Sequence, residues 1–476
     1  MLTGDRYFDS KDFKDILMSY EKSVMSGHRI FMDVDDLTDI ADYYNMIGEK
    51  DKADEAIDYA LDISPNATLP LVYKAREALA NGEHEKAEEF AERIGDKDDP
   101  DCKYLTAELL IARKKTEEAE NYLKGYYNEI DYEEHEDFIL DVANLYVDYG
   151  LNDKAFEWMC KGKRKSAEYK ELMARVFFGM ERYEESEKVF NELIDKDPYS
   201  KRYWTALASA QFMSEKYNDA ITSSEYAIAI DPDDAEAILV KANSLYKMEN
   251  YEDALTFYKR YCERMPLDEM GELNVATCLI NMDMFGEAIK HLEKAKEIAP
   301  QNSAYLNSIY RELAFSYSAI KMSDKALEYL EKAEEANGDV ADIMVLKGHV
   351  LLENERYQEA EKMFRMAMDN ANKDPRIVLR IIVSFYDNKH LDMAYSMFKS
   401  LLTNVYEGFN EGYSYMALCC WDLKLVDEFM KYMNIAVQKN PKEAKKVLGH
   451  LFPKNIEPEE YYNYIINNIN KKKKEN

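Results

Sequence analysis

The chain has 476 residues, 46% hydrophobic and 33% charged, with 16 glycines and 11 prolines, a balance that excludes long flexible linkers and predicts a folded, largely helical protein. Its 93 acidic against 62 basic residues give a formal charge of −31, which repels nucleic-acid phosphates and anionic lipid headgroups and excludes both as expected partners. No apolar stretch is long enough for a membrane helix, the opening MLTGDRYFDSKDF lacks the basic-then-apolar pattern of a secretory signal, and six cysteines show no CxxC or Cys/His metal spacing, so the expectation is a cytoplasmic protein with no metal and no cofactor.

In chain order, a leading helix is predicted over residues 10–26. A pattern then starts at Val34 (Leu37, Ile40, Ala41, Tyr44, Ala53, Ala60, Pro65) and returns at Thr68 (Leu71, Ala75, Ala87, Ala91). Weaker copies start near Pro100 (Ala107, Ile111, Ala119, Leu123), Glu136 (Ile139, Val142, Ala143, Tyr146, Ala155) and Ala167 (Ala174, Phe177, Phe190, Pro198), the last with Ser186 where alanine is expected. The basic run Lys161, Lys163, Arg164, Lys165 between two of these copies reads as a solvated helix end.

The clearest copy runs from 201 to 234. Trp204, Leu207, Ala208 and Gln211 follow i, i+3, i+4, i+7 spacing on a first helix, and Ala220, Ser224 and Ala227 mark one face of a second. Pro232 stops it, since the residue before proline is pushed out of the helical region. The copies at 235 (Ile238, Ala242, Leu245, Ala254, Tyr258) and 269 (Val275, Ala276, Leu279, Ala288, Leu292, Ala295) keep the same beat, so that Pro198, Pro232, Pro266 and Pro300 fall 34 residues apart. Further copies start near Asn307 (Leu313, Ala314, Tyr317, Ala326, Ala333), Ala341 (Gly348, Leu351, Ala360, Phe364), Pro375 (Phe385, Ala394, Phe398) and Asn410 (Tyr413, Ala417, Ala436, Pro441), the last with Phe429 in the alanine place. Closing helices are predicted over 442–451 and 458–469, because the end faces of a repeat stack would otherwise expose apolar surface. The tail Lys471 to Lys474 is expected to be disordered.

A fixed period of this kind marks a repeat architecture. Small residues at positions 8 and 20 let two antiparallel helices approach, and large residues at 4, 7, 11 and 24 fill the space between them. Many of the 37 tyrosines, such as Tyr44, Tyr146, Tyr258 and Tyr317, fall at these filling positions. Uneven spacing between Ala87 and Ser186 predicts a bend or looser stack near 95–165, and four extra residues after Pro300 predict a small joint near 301–306.

On these residues the chain resembles the tetratricopeptide-repeat family, and specifically long, acidic, uncharacterised bacterial proteins of that type. The resemblance implies an all-α, right-handed superhelical solenoid of about twelve helix-turn-helix units. The organisation expected is a capping helix in 1–33, less regular units over 34–199, regular units over 200–441, and capping helices with a basic tail over 442–476. In this family ligands are held by first-helix positions 2, 5, 9, 12 and 13. Mapped onto the central units, these give Arg202, Thr205, Ser209, Phe212, Met213, Leu239, Asn243, Tyr246, Met270, Leu273 and Ile280, then Arg311, Phe315, Val345, His349, Leu352, Leu379 and Tyr386. The apolar members should face solvent in an unoccupied groove, and exposed apolar patches mark interaction sites. The family's carboxylate clamp is not expected: Asn243 and Asn274 fit two of its places, but Leu239, Ser308 and Glu312 occupy the places of its cations.

No phosphate-binding loop, HExxH or dinucleotide fingerprint occurs. The resemblance therefore implies a non-catalytic scaffold or adaptor that holds a peptide or helix of a protein partner in its concave groove, and the acidic surface adds the expectation of a basic partner. The alternative reading is a regulatory sensor that binds a signalling peptide and relays it to a separate effector.

Overall fold

The computed structural model describes residues 7–8, 10–26, 30–163, 166–336, 339–405, 408–453 and 456–467. Arg164 and Lys165 of the basic run, the end of the second closing helix and the Lys471–Lys474 tail lie outside the described residues. The chain divides into two compact units, residues 1–240 and 241–476, and the helix Ala235–Lys247 carries the division.

Every predicted copy is a helical hairpin. In the first unit the helix Lys11–Ser26 precedes pairs such as Val34–Met46 with Lys50–Ile63 and Lys201–Met213 with Tyr217–Ile230. In the second, pairs run from Glu269–Asn281 with Phe285–Ile298 to Tyr413–Asp422 with Val426–Lys439, and the helix Pro441–Leu448 follows. The described residues contain helices and turns, with no strand among them.

The small positions do what the pattern requires. Ala208, Ala220, Ala242, Ala254, Ala276 and Ala288 are all fully buried. At Gly348 a methyl group would come within 2.4–2.9 Å of the Phe364 ring, so even alanine is too large there. Ser186 is equally buried, and its hydroxyl donates to the Ala174 carbonyl oxygen at 2.8 Å across the same helix pair, which is why a serine fits where alanine was expected. The tyrosines assigned to core filling are buried as well: Tyr44, Tyr146, Tyr258 and Tyr317.

Each hairpin turns at the fifteenth position of its unit, and that residue takes a left-handed backbone. It is glycine at Gly48, Gly82 and Gly150, but charged at Lys114, Glu181, Glu215, Glu249, Asp283, Lys321, Glu355, Lys389 and Lys424. At Glu249 the amide of Asn250 donates to the Leu245 carbonyl (3.0 Å) and that of Glu249 to Tyr246 (2.9 Å), the paired bonds of a Schellman ending. These bonds satisfy the helix's last carbonyls and hold a residue without glycine's freedom in a costly conformation.

The stretch from 95 to 165, for which the spacing predicts a bend or a looser stack, has an aromatic-rich core. The second helices there are shortened, Thr116–Tyr127 to 12 residues and Asn152–Met159 to 8, against 14 in Tyr217–Ile230. Large aromatics fill the space: Trp158 and Tyr146 are fully buried beside Phe138 and Leu123. The extra residues after Pro300 form a turn, with the Ser303 amide donating to the Pro300 carbonyl at 2.9 Å before the helix Leu306–Ala319.

Each end is closed by aromatic packing. Phe13 is fully buried against Phe8 and Tyr43 in the first unit. In the second, Phe452 stacks on the buried Tyr461 with ring centres 3.8 Å apart.

Candidate functional site

Four successive first helices of the first unit, Thr68–Ala80, Pro100–Ala112, His135–Asp148 and Ala167–Gly179, wall a cleft of about 390 Å³. Its floor holds a guanidinium already matched to a carboxylate. Arg76 grips Glu108 in a fork, Nη2 to Oε1 at 2.6 Å and Nε to Oε1 and Oε2 at 2.9 and 3.1 Å. Glu108 is buried, and such bidentate pairs are the strong ones. Burial opposes the charge on Arg76, but the Glu108 carboxylate outweighs it and raises its pKa.

The other acids of the cleft are poorly neutralised. Asp141 receives the Tyr104 hydroxyl at 3.0 Å, and neither Asp141 nor Asp101 has an ion pair among the described residues. Asp148 has only Arg175, at 3.9 Å, and Arg175 also reaches the Asn144 side-chain oxygen at 3.4 Å. Asp141 and Asp148 are exposed at the rim of the cleft, and Asp101 is half-buried. Burial raises the pKa of Asp101, Asp141 and Asp148, with Arg76 opposing at Asp101, Tyr104 at Asp141, and Arg175 then Arg76 at Asp148. Burial also raises the Tyr104 hydroxyl, with Asp141 adding to it, and pushes Tyr149 up to about 12. Asp42, on the helix Val34–Met46, is pushed up to about 6 by burial and then by Asp39, while Arg76 pulls it down.

The central residues singled out in the sequence fall into three groups. Some are accessible. Phe315 is 52% exposed and edge-on to Phe285, Met213 is 46% exposed, and Phe212, Leu239, Ser209, Met270, Ile280 and His349 are half-buried. Others are already engaged. Arg202 pairs with Glu171, Arg311 lies 3.8 Å from Asp342, Asn243 accepts the Tyr258 hydroxyl at 2.6 Å, and Tyr246 accepts from Asn281 at 3.2 Å. A third group does not face solvent as expected: Thr205, Leu273, Val345, Leu352, Leu379 and Tyr386 are buried. Val345 and Leu352 join the core around Phe364, and Leu379 and Tyr386 join that around Phe398, because the neighbouring helix hairpin covers them.

The cleft lies outside the central units and is lined mainly by polar residues. The ligand-facing positions, applied to units starting at 34, 68, 100, 136 and 167, point at Asp42, Arg76, Asp101, Tyr104, Glu108, Asn144, Asp148 and Arg175. Asp141 lies one position off that set.

Among the described residues no group of His, Cys, Asp and Glu is arranged to hold a metal ion, and no helix is long and apolar enough to cross a membrane. Burial pushes the thiols of Cys262, Cys278 and Cys420 up to about 12, which keeps them protonated and poor nucleophiles.

Comparison with known families gives three matches. A model described as "Anaphase-promoting complex, cyclosome, subunit 3" matches residues 213–295, and two described as "Tetratricopeptide repeat" match 172–235 and 322–379. Similar solved structures include MamA, at 18% identity over 34% of this chain and 94% of that one, with a TM-score of 0.33. MamA from Desulfovibrio magneticus RS-1 is 16% identical over 37% of this chain and 96% of its own, with a TM-score of 0.34. YrrB, titled a TPR protein with an unusual peptide-binding site, is 18% identical over 38% and 91%, with a TM-score of 0.34. No curated protein matches this chain.

Proposed function

Because this chain is a tetratricopeptide-repeat protein, whose repeats serve in general as protein–protein interaction scaffolds, we propose that it is a non-catalytic adaptor holding a segment of a protein partner on the inner faces of its first helices. One observation carries the reading: the cleft at 76–175 is lined from four consecutive units, mostly by the register positions that hold ligands in this family. A long acidic surface, buried inert thiols and side chains of mixed polarity suit recognition better than turnover. Exposed Phe315 supplies an apolar contact of the kind that dominates binding energy at interfaces.

The test is affinity capture from the native cell with the full chain as bait. Inner-face variants Arg175→Ala and Phe315→Ala are compared with Tyr226→Ala, an exposed ring on a second helix. Loss of the retained partner by either inner-face variant, with Tyr226→Ala still binding, supports the reading. Retention by both inner-face variants and loss by Tyr226→Ala contradicts it.

A further inference from the structure

We propose that a hollow of about 540 Å³ in the second unit, walled by the helices Pro375–Asp387 and Leu391–Asn404, binds a free long-chain carboxylate, its alkyl chain on Val378, Met397 and Leu401 and its anionic head on Lys373. This site is separate from the inner-face cleft of the first unit. Its walls stand where the repeat normally packs. Leu401 holds the twenty-seventh position of its unit, and at that place in four other units Ala227, Ala295, Ala333 and Ala367 are fully buried. Here the place is only half-buried, and so are Val378, Met397 and Val405 beside it, with the fully buried Ile382 completing the apolar lining. Met397, Ser400, Leu401 and Asn404 recur at helical spacing over about 10 Å of axis, so the strip they form suits an extended chain.

The charge of this hollow sets it apart. Four other hollows of the chain each carry at least two carboxylates in their walls, such as Asp339 and Glu411, or Asp233 and Glu236. This one carries none: its single ionisable residue is Lys373, beside the neutral Ser400 and Asn404. Lys373 is exposed and has no ion pair among the described residues. The backbone takes a costly path to put it there. Asn372 and Lys373 are both left-handed, with φ of 49° and 59°, whereas the other left-handed residues that are not glycine each stand alone at a hairpin turn. The Lys373 amide donates to the Met368 carbonyl at 2.8 Å and closes the end of the helix Tyr357–Asn370. Such residues are strained, and strain of this kind collects at functional positions. An apolar pocket of a few hundred cubic ångströms with a few convergent polar groups is the usual form of a small-ligand site. The unpaired ammonium selects an anionic head, and walls without carboxylates spare that head the repulsion it meets elsewhere on an acidic surface.

The probe is dansylaminoundecanoate, whose fluorescence rises in apolar sites, titrated into the full chain at pH 7.5 and displaced by dodecanoate below its micellar concentration. Lys373→Glu reverses the cation. Ser400→Trp fills the hollow from an exposed position. Lys389→Glu, at an exposed left-handed lysine in the turn of the same hairpin, makes the same change of charge away from the hollow. Circular dichroism confirms that the variants remain helical. The expected result is saturable binding that weakens about fivefold or more in Lys373→Glu and less than about twofold in Lys389→Glu. Ser400→Trp should bind no probe, and dodecyltrimethylammonium should displace it about tenfold less well than dodecanoate. Absence of saturable binding overturns the proposal, as do equal losses in the two lysine variants, unchanged binding by Ser400→Trp, or equal displacement by the cationic amphiphile. If Ser400→Trp loses its helical structure, the two lysine variants still decide.

Discussion

Two sets of carboxylates lie within residues 100–160 of the first unit, and the fold treats them in opposite ways. Glu120, on the second helix Thr116–Tyr127, accepts the Tyr146 hydroxyl at 2.7 Å and the Trp158 indole N–H at 3.0 Å and pairs with Lys124. Asp101 and Asp141, on first helices, line the cleft with pKa raised by burial and no ion pair among the described residues. The first kind of carboxylate is completed by folding and ties the helices together. The second kind is left incomplete on the face that the repeat presents inward. The frame of small residues and left-handed turns is shared by both, so side-chain chemistry at single positions separates structure from recognition.

The largest test of this contrast is Glu120→Ala. It leaves a buried indole N–H and a buried hydroxyl without an acceptor, and each lost partner costs about 1–3 kcal/mol. Denaturant unfolding should show a total loss of about 3 kcal/mol or more. Asp101→Asn, by contrast, should leave stability unchanged or slightly higher at pH 7. Comparable losses from the two variants would erase the distinction.

Next comes the frame itself. Gly348→Ala should cost about 1–3 kcal/mol, because the new methyl overlaps the Phe364 ring. Gly286→Ala, where nothing lies within 4 Å, should cause no loss. If both variants melt alike, the close approach at Gly348 is not what holds that hairpin.

A smaller effect separates the carboxylates by pH. Asp42 has a folded pKa of about 6 against the ordinary 3.8, so its contribution to stability is full below about pH 4 and is lost as pH rises through 6. Asp42→Asn keeps the neutral form, and at pH 7 it should gain about 1 kcal/mol after allowance for partial exposure. The gain should vanish by pH 4. Glu120 runs the other way: its folded pKa is lowered, so its contribution holds above the ordinary 4.5 and is lost as pH falls further. Thermal melts of both single variants from pH 3.5 to 7.5 read the two signs directly. Slopes of the same sign would break the comparison.

The smallest effect concerns the turns. Glu249 holds a φ of 61° in a Schellman ending, so Glu249→Gly should relieve the strain and stabilise by about 0.5–1 kcal/mol. A loss of stability would mean that the chain tolerates this backbone without strain.

Much of the frame was legible in the sequence because independent residue classes share one period. Ala254, Pro266 and Tyr258 agree on the same register, and the observed helices begin within a few residues of where that register puts them. The turn geometry was less legible. Only three of the twelve hairpin-turn positions carry glycine, and a glutamate or lysine there gives no local signal of its backbone. The burial of Val345 and Leu379 was hidden for another reason: it depends on the neighbouring hairpin, which helix periodicity within one unit does not contain. The cleft was written in the sequence at positions 2, 5 and 9 of the early units, as Asp101, Tyr104 and Glu108. An aspartate on a helix face gives no signal in its own repeat of the neighbouring helices that line a cleft with it.

The central claim is that partners dock on first helices. Hydrogen exchange of the full chain, alone and with the protein captured from the native cell, tests it most directly. The account predicts added protection in first helices such as Pro100–Ala112 and His135–Asp148, with second helices such as Thr116–Tyr127 unchanged. Added protection confined to the second helices would contradict it.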